Sequence, residues 1–111
     1  MADDQQLDAA FSALAHPVRR AILAQLVKGT ASVNALAAPF DMSLPAVSKH
    51  IRVLEAAGLI TREKTAQFRL CTLEPRPIQE IASWAQQYRP IWDARFDTVD
   101  ALLQNMKEND Q

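Results

Sequence analysis

The sequence predicts a mainly α-helical chain carrying one small β-hairpin. Three observations lead there. Four short segments with helical apolar spacing, bounded by Ser, Pro and Gly, fill the chain as far as Gly58. From Leu59 to Leu73 the period changes to β-branched and aromatic residues around a polar centre. A long helical pattern then runs to Lys107.

In the first segment Leu7, Phe11 and Leu14 step by four and three residues, marking an amphipathic helix over residues 4–15. His16-Pro17 ends it, and Pro17 suits the first position of a second helix running to Val27. Ile22, Leu23 and Leu26 point inward on that helix, and Gly29 closes it. Ser32 caps a short third helix with Val33 and Leu36, which Pro39 stops. Ser43 caps the fourth, with Pro45 in its first turn and Gly58 just past its end. Residues 59–73, LITREKTAQFRLCTL, read as two short strands joined near residues 65–67. In residues 76–107, Pro90 predicts a kink or break around Tyr88-Arg89. A tight helix pair followed by a two-stranded hairpin is the winged helix-turn-helix plan. Residues 1–111 then form one domain, with helix-turn-helix and wing over residues 16–73 and terminal helices over 4–15 and 76–107.

At 49% hydrophobic and 23% charged, the chain has the composition of a globular protein with one modest core. No apolar run is long enough to span a bilayer, so no membrane partner is expected. The opening MADDQQLDAA is too acidic and polar for a signal peptide. A lone cysteine, Cys71, excludes an intrachain disulfide and fits a reducing compartment, by default the cytoplasm. The net charge of −1 conceals a pattern. Residues 1–15 carry −3 and residues 74–111 carry −3, whereas residues 16–73 hold eight Lys/Arg against three acids, a net +5. A basic middle between acidic ends is the footprint of a molecule whose central face meets phosphate.

The fourth helix gives that face its chemistry. At 100° per residue, Val47, Ile51 and Leu54 make one apolar stripe, with Leu44 beside it. Pro45, Ser48, Lys49 and Arg52 fall on the opposite side. In a helix-turn-helix the second helix enters the DNA major groove, where Arg and Lys suit guanine acceptors, Ser suits several partners and Pro or Ala can touch a thymine methyl. Ser43 sits at the positive helix end, well placed for a phosphate. The hairpin that follows favours this reading over a merely solvated polar face.

The blocks HPVRRAIL and LAAPFDMSLPAVSKHIRVLEAAGLITRE, with the strand pair, resemble the ArsR (arsenic-repressor-type) family of bacterial winged-helix transcription repressors over about residues 7–105. The resemblance implies a homodimer that binds double-stranded DNA at a near-palindromic operator and blocks transcription. It places the recognition positions on Ser43, Pro45, Ala46, Ser48, Lys49, His50 and Arg52. The chain departs from the family's metal sensors. Its third helix, SVNALAAPF, lacks the paired cysteines, and residues 76–107 hold neither His nor Cys. One Cys and two distant His cannot build a usual zinc or soft-metal site, so no metal or other cofactor is expected. The wing departs too: its tip is Lys64-Thr65-Ala66-Gln67, where family wings are often richer in Gly and Arg. Arg62, Lys64 and Arg69 remain as candidates for backbone phosphates, which position a protein without reading sequence.

Several residues admit two readings. His50, about 60° from the apolar stripe, either donates to a phosphate or packs over the core with one nitrogen in water. His16 belongs in the interhelix turn, in a structural role rather than as a switch. Arg19 lies on the apolar side of the second helix, so its stem is expected buried and its charge partnered by a carboxylate or carbonyl. Arg20 points outward and is the better phosphate contact. Cys71, in the second predicted strand, reads as a buried and inert thiol rather than a redox sensor.

The terminal helices read as a dimer seam. Positions 78, 85, 92, 99 and 106 are Ile, Ala, Trp, Val and Met, and positions 81, 88, 95 and 102 are Ile, Tyr, Arg and Leu, a near-heptad seam widened by Trp84, Ile91, Phe96 and Leu103. About thirty helical residues extend roughly 45 Å, farther than a compact core of roughly 11 Å radius of gyration can cover. Trp84, Tyr88, Trp92, Phe96, Val99 and Leu103 therefore call for the same helix of a second subunit, with Leu7, Phe11 and Leu14 adding area. The expected function is a DNA-binding repressor acting as a homodimer. The alternative is a winged-helix module that binds another protein and no DNA. An enzyme is not expected, since no nucleophile–base pair or Gly-rich phosphate loop is present. Any small-molecule effector is left unassigned.

Overall fold

The computed structural model describes residues 4–109, with the side chains of all of these except residues 95–98 and 108–109. Four helices come first: α1 (Asp4–Leu14), α2 (Pro17–Val27), α3 (Val33–Ala37) and α4 (Leu44–Ala56). Strands β1 (Ala31–Ser32), β2 (Ile60–Thr65) and β3 (Phe68–Leu73) form an antiparallel sheet in the order β1-β3-β2. Helices α5 (Pro75–Gln86) and α6 (Arg89–Asn109) follow. The chain divides into two compact units, Met1–Ile81 and Ala82–Gln111.

Local chemistry accounts for the boundaries of the first unit. The Oγ of Ser32 accepts from the Ala35 N–H at 3.1 Å, and the Oγ of Ser43 accepts from the Ala46 N–H at 3.3 Å, so both serines act as N-caps. At the far end of α4, Gly58 takes a φ of 77°, a left-handed conformation that costs a residue with a Cβ about 1–2 kcal/mol. Its N–H donates to the Glu55 carbonyl at 3.0 Å while the Leu59 N–H donates to the Leu54 carbonyl at 3.0 Å. This double closure ends α4 and aims the chain into β2.

The core of this unit gathers Val47, Ile51 and Leu54 of α4 with Ile22 of α2, Leu36 of α3, Leu59, Ile60 and Cys71, all essentially without solvent exposure. Complete burial of an aliphatic side chain of this size is worth about 2 kcal/mol, so α4 is anchored along its whole length. The core face of α1 carries Ala10 and Ala13, while Leu14 packs at the core edge and Phe11 stays exposed. Alanines bring the α1 backbone close to its neighbours and leave Phe11 off the core.

Two strands were expected and the sheet has three. Strand β1 has only two residues, too few for a period-two pattern to register. It pairs Ala31 with Cys71 and Ser32 with Leu70, and the Thr30 and Thr72 hydroxyls meet at 2.9 Å beside it. The expected hairpin is present, paired from Ile60↔Leu73 to Thr65↔Phe68. Pro90 acts as expected and the break is complete. Pro90 is the second residue of α6, and the Gln87 and Tyr88 N–H groups turn back to the Trp84 and Ala85 carbonyls at 3.2 and 3.0 Å.

In the second unit the Trp84 and Tyr88 rings meet edge-on at 5.2 Å. Along α6 the side chains of Ile91, Trp92, Val99, Leu102, Leu103 and Met106 are 38–63% exposed in the single subunit. The side chain of Phe96 lies outside the described ones.

Candidate nucleic-acid interface

Helix α4 has two opposed sides. The first is sealed by Val47, Ile51 and Leu54; the second presents Pro45, Lys49 and Arg52 as exposed residues with Ser48 half-buried among them. Ser43 is exposed at the N-terminus, and Ala46 is half-buried behind it. Because Pro45 has no N–H and Ser43 accepts from Ala46, the first turn leaves few amides without a partner. The Ser43 hydroxyl proton is still available to a phosphate, since its oxygen serves the cap as acceptor.

The turn and the wing bring the two halves of the expected site together. Ser48 and Arg52 of α4 line one cleft with Arg62 of β2 and Arg69 of β3, enclosing a volume of about 320 Å³. Asn34 of α3 and Gln67 at the hairpin turn line the same cleft. Neither stands out in the sequence, where the signal is modest: polar residues on the first turn of the helix before α4 and at the wing tip. Lys64 is exposed near that tip, where Ala66 adopts a φ of 54°.

The basic side chains differ in freedom. Arg52, Arg69, Lys49 and Lys64 make no ion pair or hydrogen bond among the described residues, so their charge is available. Arg62 is instead engaged: its Nη2 meets Glu55 Oε1 at 3.1 Å, with only 19% of its side chain exposed. Arg20 is exposed as expected, but its Nη1 donates to the Leu14 carbonyl at 2.7 Å and closes the end of α1.

The histidines lie together. His16 caps α2, its Nδ1 accepting from the Val18 N–H at 3.1 Å, and its ring lies 4.4 Å from that of His50. Arg19 behaves as the sequence implies. Its Nε donates to the Ala13 carbonyl at 2.6 Å, Nη2 donates to the Ser12 carbonyl at 3.3 Å, and Nη1 reaches His50 Nδ1 at 3.3 Å. Partial burial, then the positive neighbours His16, Arg19 and Lys49, hold the His50 pKa below the usual 6.5. Cys71 is fully buried on the central strand. Burial pushes its thiol up, Arg62 counters in part, and Glu55 adds to the rise. It is a thiol, not a thiolate.

No group of three or more His, Cys, Asp or Glu suited to a metal ion occurs among the described residues. No described helix is long and apolar enough to cross a membrane.

Comparison with known proteins gives this arrangement its relatives. A family model described as a helix-turn-helix domain matches residues 14–63. The chain is 40% identical over 68 residues to the HTH-type transcriptional regulator Rv2034 of Mycobacterium tuberculosis, a match covering 61% of this chain and 64% of that protein. It is 31% identical over 74 residues to the transcriptional repressor SdpR of Bacillus subtilis, covering 67% of this chain and 82% of the repressor. Among solved structures, the crystal structure of the ArsR family transcriptional regulator RHA00566 superposes with a TM-score of 0.76 at 41% identity, over 84% of this chain and 97% of that one.

Proposed function

Since the chain belongs to the ArsR family of winged-helix transcriptional regulators, we propose that it is a sequence-specific DNA-binding repressor that acts as a homodimer on a near-palindromic operator in the cytoplasm. One observation carries the reading: α4 is sealed on its Val47–Ile51–Leu54 side, and its Ser48–Arg52 side opens into a cleft shared with Arg62 and Arg69 of the wing. A helix held that firmly, with unpaired cations on its open side, suits a major groove.

In this reading Ser48, Lys49 and Arg52 reach base edges, Pro45 and Ala46 face thymine methyls, and Ser43 and His50 hold flanking phosphates. Arg69 and Lys64 of the wing, with Arg62 and Arg20 as secondary contacts, take backbone phosphates. The exposed apolar residues of α5 and α6, Trp84, Tyr88, Trp92, Val99 and Leu103, support self-association, with Leu7, Phe11 and Leu14 of α1 adding area. A two-fold dimer sets two recognition helices about 34–36 Å apart, one turn of the duplex.

The test is enrichment of random duplexes on the purified protein, followed by affinity titration against salt. The expected result is a palindromic consensus whose binding weakens steeply with salt, and loss of sequence preference in Lys49→Ala with Arg52→Ala. Undiminished preference in that double variant refutes the assignment. Absence of binding to every duplex at low salt favours a protein–protein module instead.

A further inference from the structure

We propose that Arg19, His50 and His16 form a positioning device for the recognition helix: Arg19 ties α4 to the end of α1 through the unprotonated Nδ1 of His50, so that DNA affinity requires both imidazoles to be neutral. This rests on the DNA-binding reading above and deepens it with a regulatory consequence.

The geometry carries the inference. A guanidinium has donors only, so the 3.3 Å contact from Arg19 Nη1 assigns the lone pair of His50 to Nδ1 and its proton to Nε2. The 3.1 Å bond from the Val18 N–H likewise requires an unprotonated Nδ1 on His16. Arg19 spends Nε and Nη2 on the Ala13 and Ser12 carbonyls, and so grips the C-terminal end of α1 in a fixed fork. His50 stands between Lys49 and Ile51, so the tie fixes α4 where its polar side begins. It joins three elements at the only described contacts between side chains of α2 and α4 that carry a hydrogen bond.

Among the described residues, the charges facing His50 are all positive. They are Arg19 from the start of α2 and Lys49 from α4 itself, and His16 joins them only when it takes up a proton. From α1 the cluster receives the Ser12 and Ala13 carbonyls, and the last turn of that helix has no basic residue. A proton on either ring therefore replaces an accepted hydrogen bond with a donor facing a donor, and it does so beside other cations. No facing carboxylate among the described residues offsets it.

The sign of the response separates this device from simple electrostatics. Added positive charge beside a phosphate contact tightens DNA binding as pH falls. Release of α4 from α1 weakens it. The inference predicts weakening despite the extra charge.

The test uses the full chain and the enriched duplex, with affinity read by fluorescence anisotropy from about pH 7.5 to 4.5, because His50 is held below the usual histidine range. Parent protein is expected to weaken roughly tenfold over this range, the scale of one lost charge-assisted hydrogen bond. His50→Asn presents an amide oxygen to Arg19 without titrating, so although it forgoes the His50 phosphate contact it binds more tightly than His50→Ala at the upper pH and loses most of the decline. Arg19→Lys cannot make the three-way fork and is weak at both ends, with the salt slope unchanged because the phosphate contacts are the same. Circular dichroism melts at each pH report the folded fraction. Parental affinity that is flat or tighter at low pH overturns the inference, as does His50→Asn behaving like His50→Ala. Imidazole nitrogen spectra give a readout that needs no DNA. His50 must show an unprotonated Nδ1 that shifts in Arg19→Lys; a protonated Nδ1 at neutral pH overturns the inference even if DNA binds, whereas failure of all DNA binding with the expected spectra overturns only the reading beneath it.

Discussion

Replacing Ser43 with aspartate separates the stability of the recognition helix from its use. In the folded protein Ser43 Oγ accepts from the Ala46 N–H at 3.3 Å, and Pro45 removes the only other amide of the first turn that a cap would serve. Asp is as good an N-cap as Ser, and a negative charge at a helix N-terminus contributes about 0.3–1 kcal/mol. Ser43→Asp is therefore expected to melt at the parent temperature or a few degrees above it. On DNA the same carboxylate meets a phosphate. Two unit charges about 4 Å apart repel by about 1 kcal/mol in bulk water and about 4 kcal/mol at the effective dielectric of a partly shielded surface. With every 1.4 kcal/mol equal to tenfold, affinity per subunit falls between roughly fivefold and a thousandfold, and a dimer suffers it twice. Ser43→Ala gives the converse: the cap is lost at about 1 kcal/mol, and DNA binding declines less. Melting by circular dichroism and titration of one duplex by anisotropy measure both quantities. Parental DNA affinity in a stable Ser43→Asp protein would show that the start of α4 does not approach the backbone, and the docking would have to be abandoned.

Further outcomes follow from side chains the structure distinguishes. Arg69→Ala should leave the melting temperature within error and lower the logarithmic salt slope by about 0.9 for each phosphate contact removed. Arg62→Ala should also destabilise the fold by about 0.5–1 kcal/mol, because it orphans Glu55 from a 3.1 Å, partly buried pair; equal behaviour of the two variants refutes the division. Cys71, fully buried with its thiol pushed up, should resist an aromatic disulfide reagent in the native protein and react at once in denaturant. Cys71→Ser should cost about 1–3 kcal/mol through an unsatisfied buried hydroxyl, and fast native labelling would contradict the burial.

The sequence made α4 readable because its signals agree. Ser43, Pro45, the Val47–Ile51–Leu54 stripe and Gly58 each specify one feature of the same helix, and each appears in the structure. The break before α6 was readable for the same reason, since Pro90 permits few alternatives. What stayed hidden depends on partners distant in the chain. Two residues of β1 carry no period, and their strand character comes from pairing with Leu70 and Cys71. The large residues of α1 carry its sequence pattern, but its core contact runs chiefly through Ala10 and Ala13, with Leu14 at the edge, because close helix approach rewards small side chains. Arg62 read as a free cation until folding set it against Glu55. The contact between His16 and His50 spans two helices, and no local pattern announces it.

Hydroxyl-radical footprinting of the protein on its enriched duplex bears most directly on the central claim. Two protected patches should appear, related by a two-fold axis and centred about ten base pairs apart, and both should vanish with Lys49→Ala and Arg52→Ala. A single protected patch, or the same two patches persisting in that variant, contradicts it.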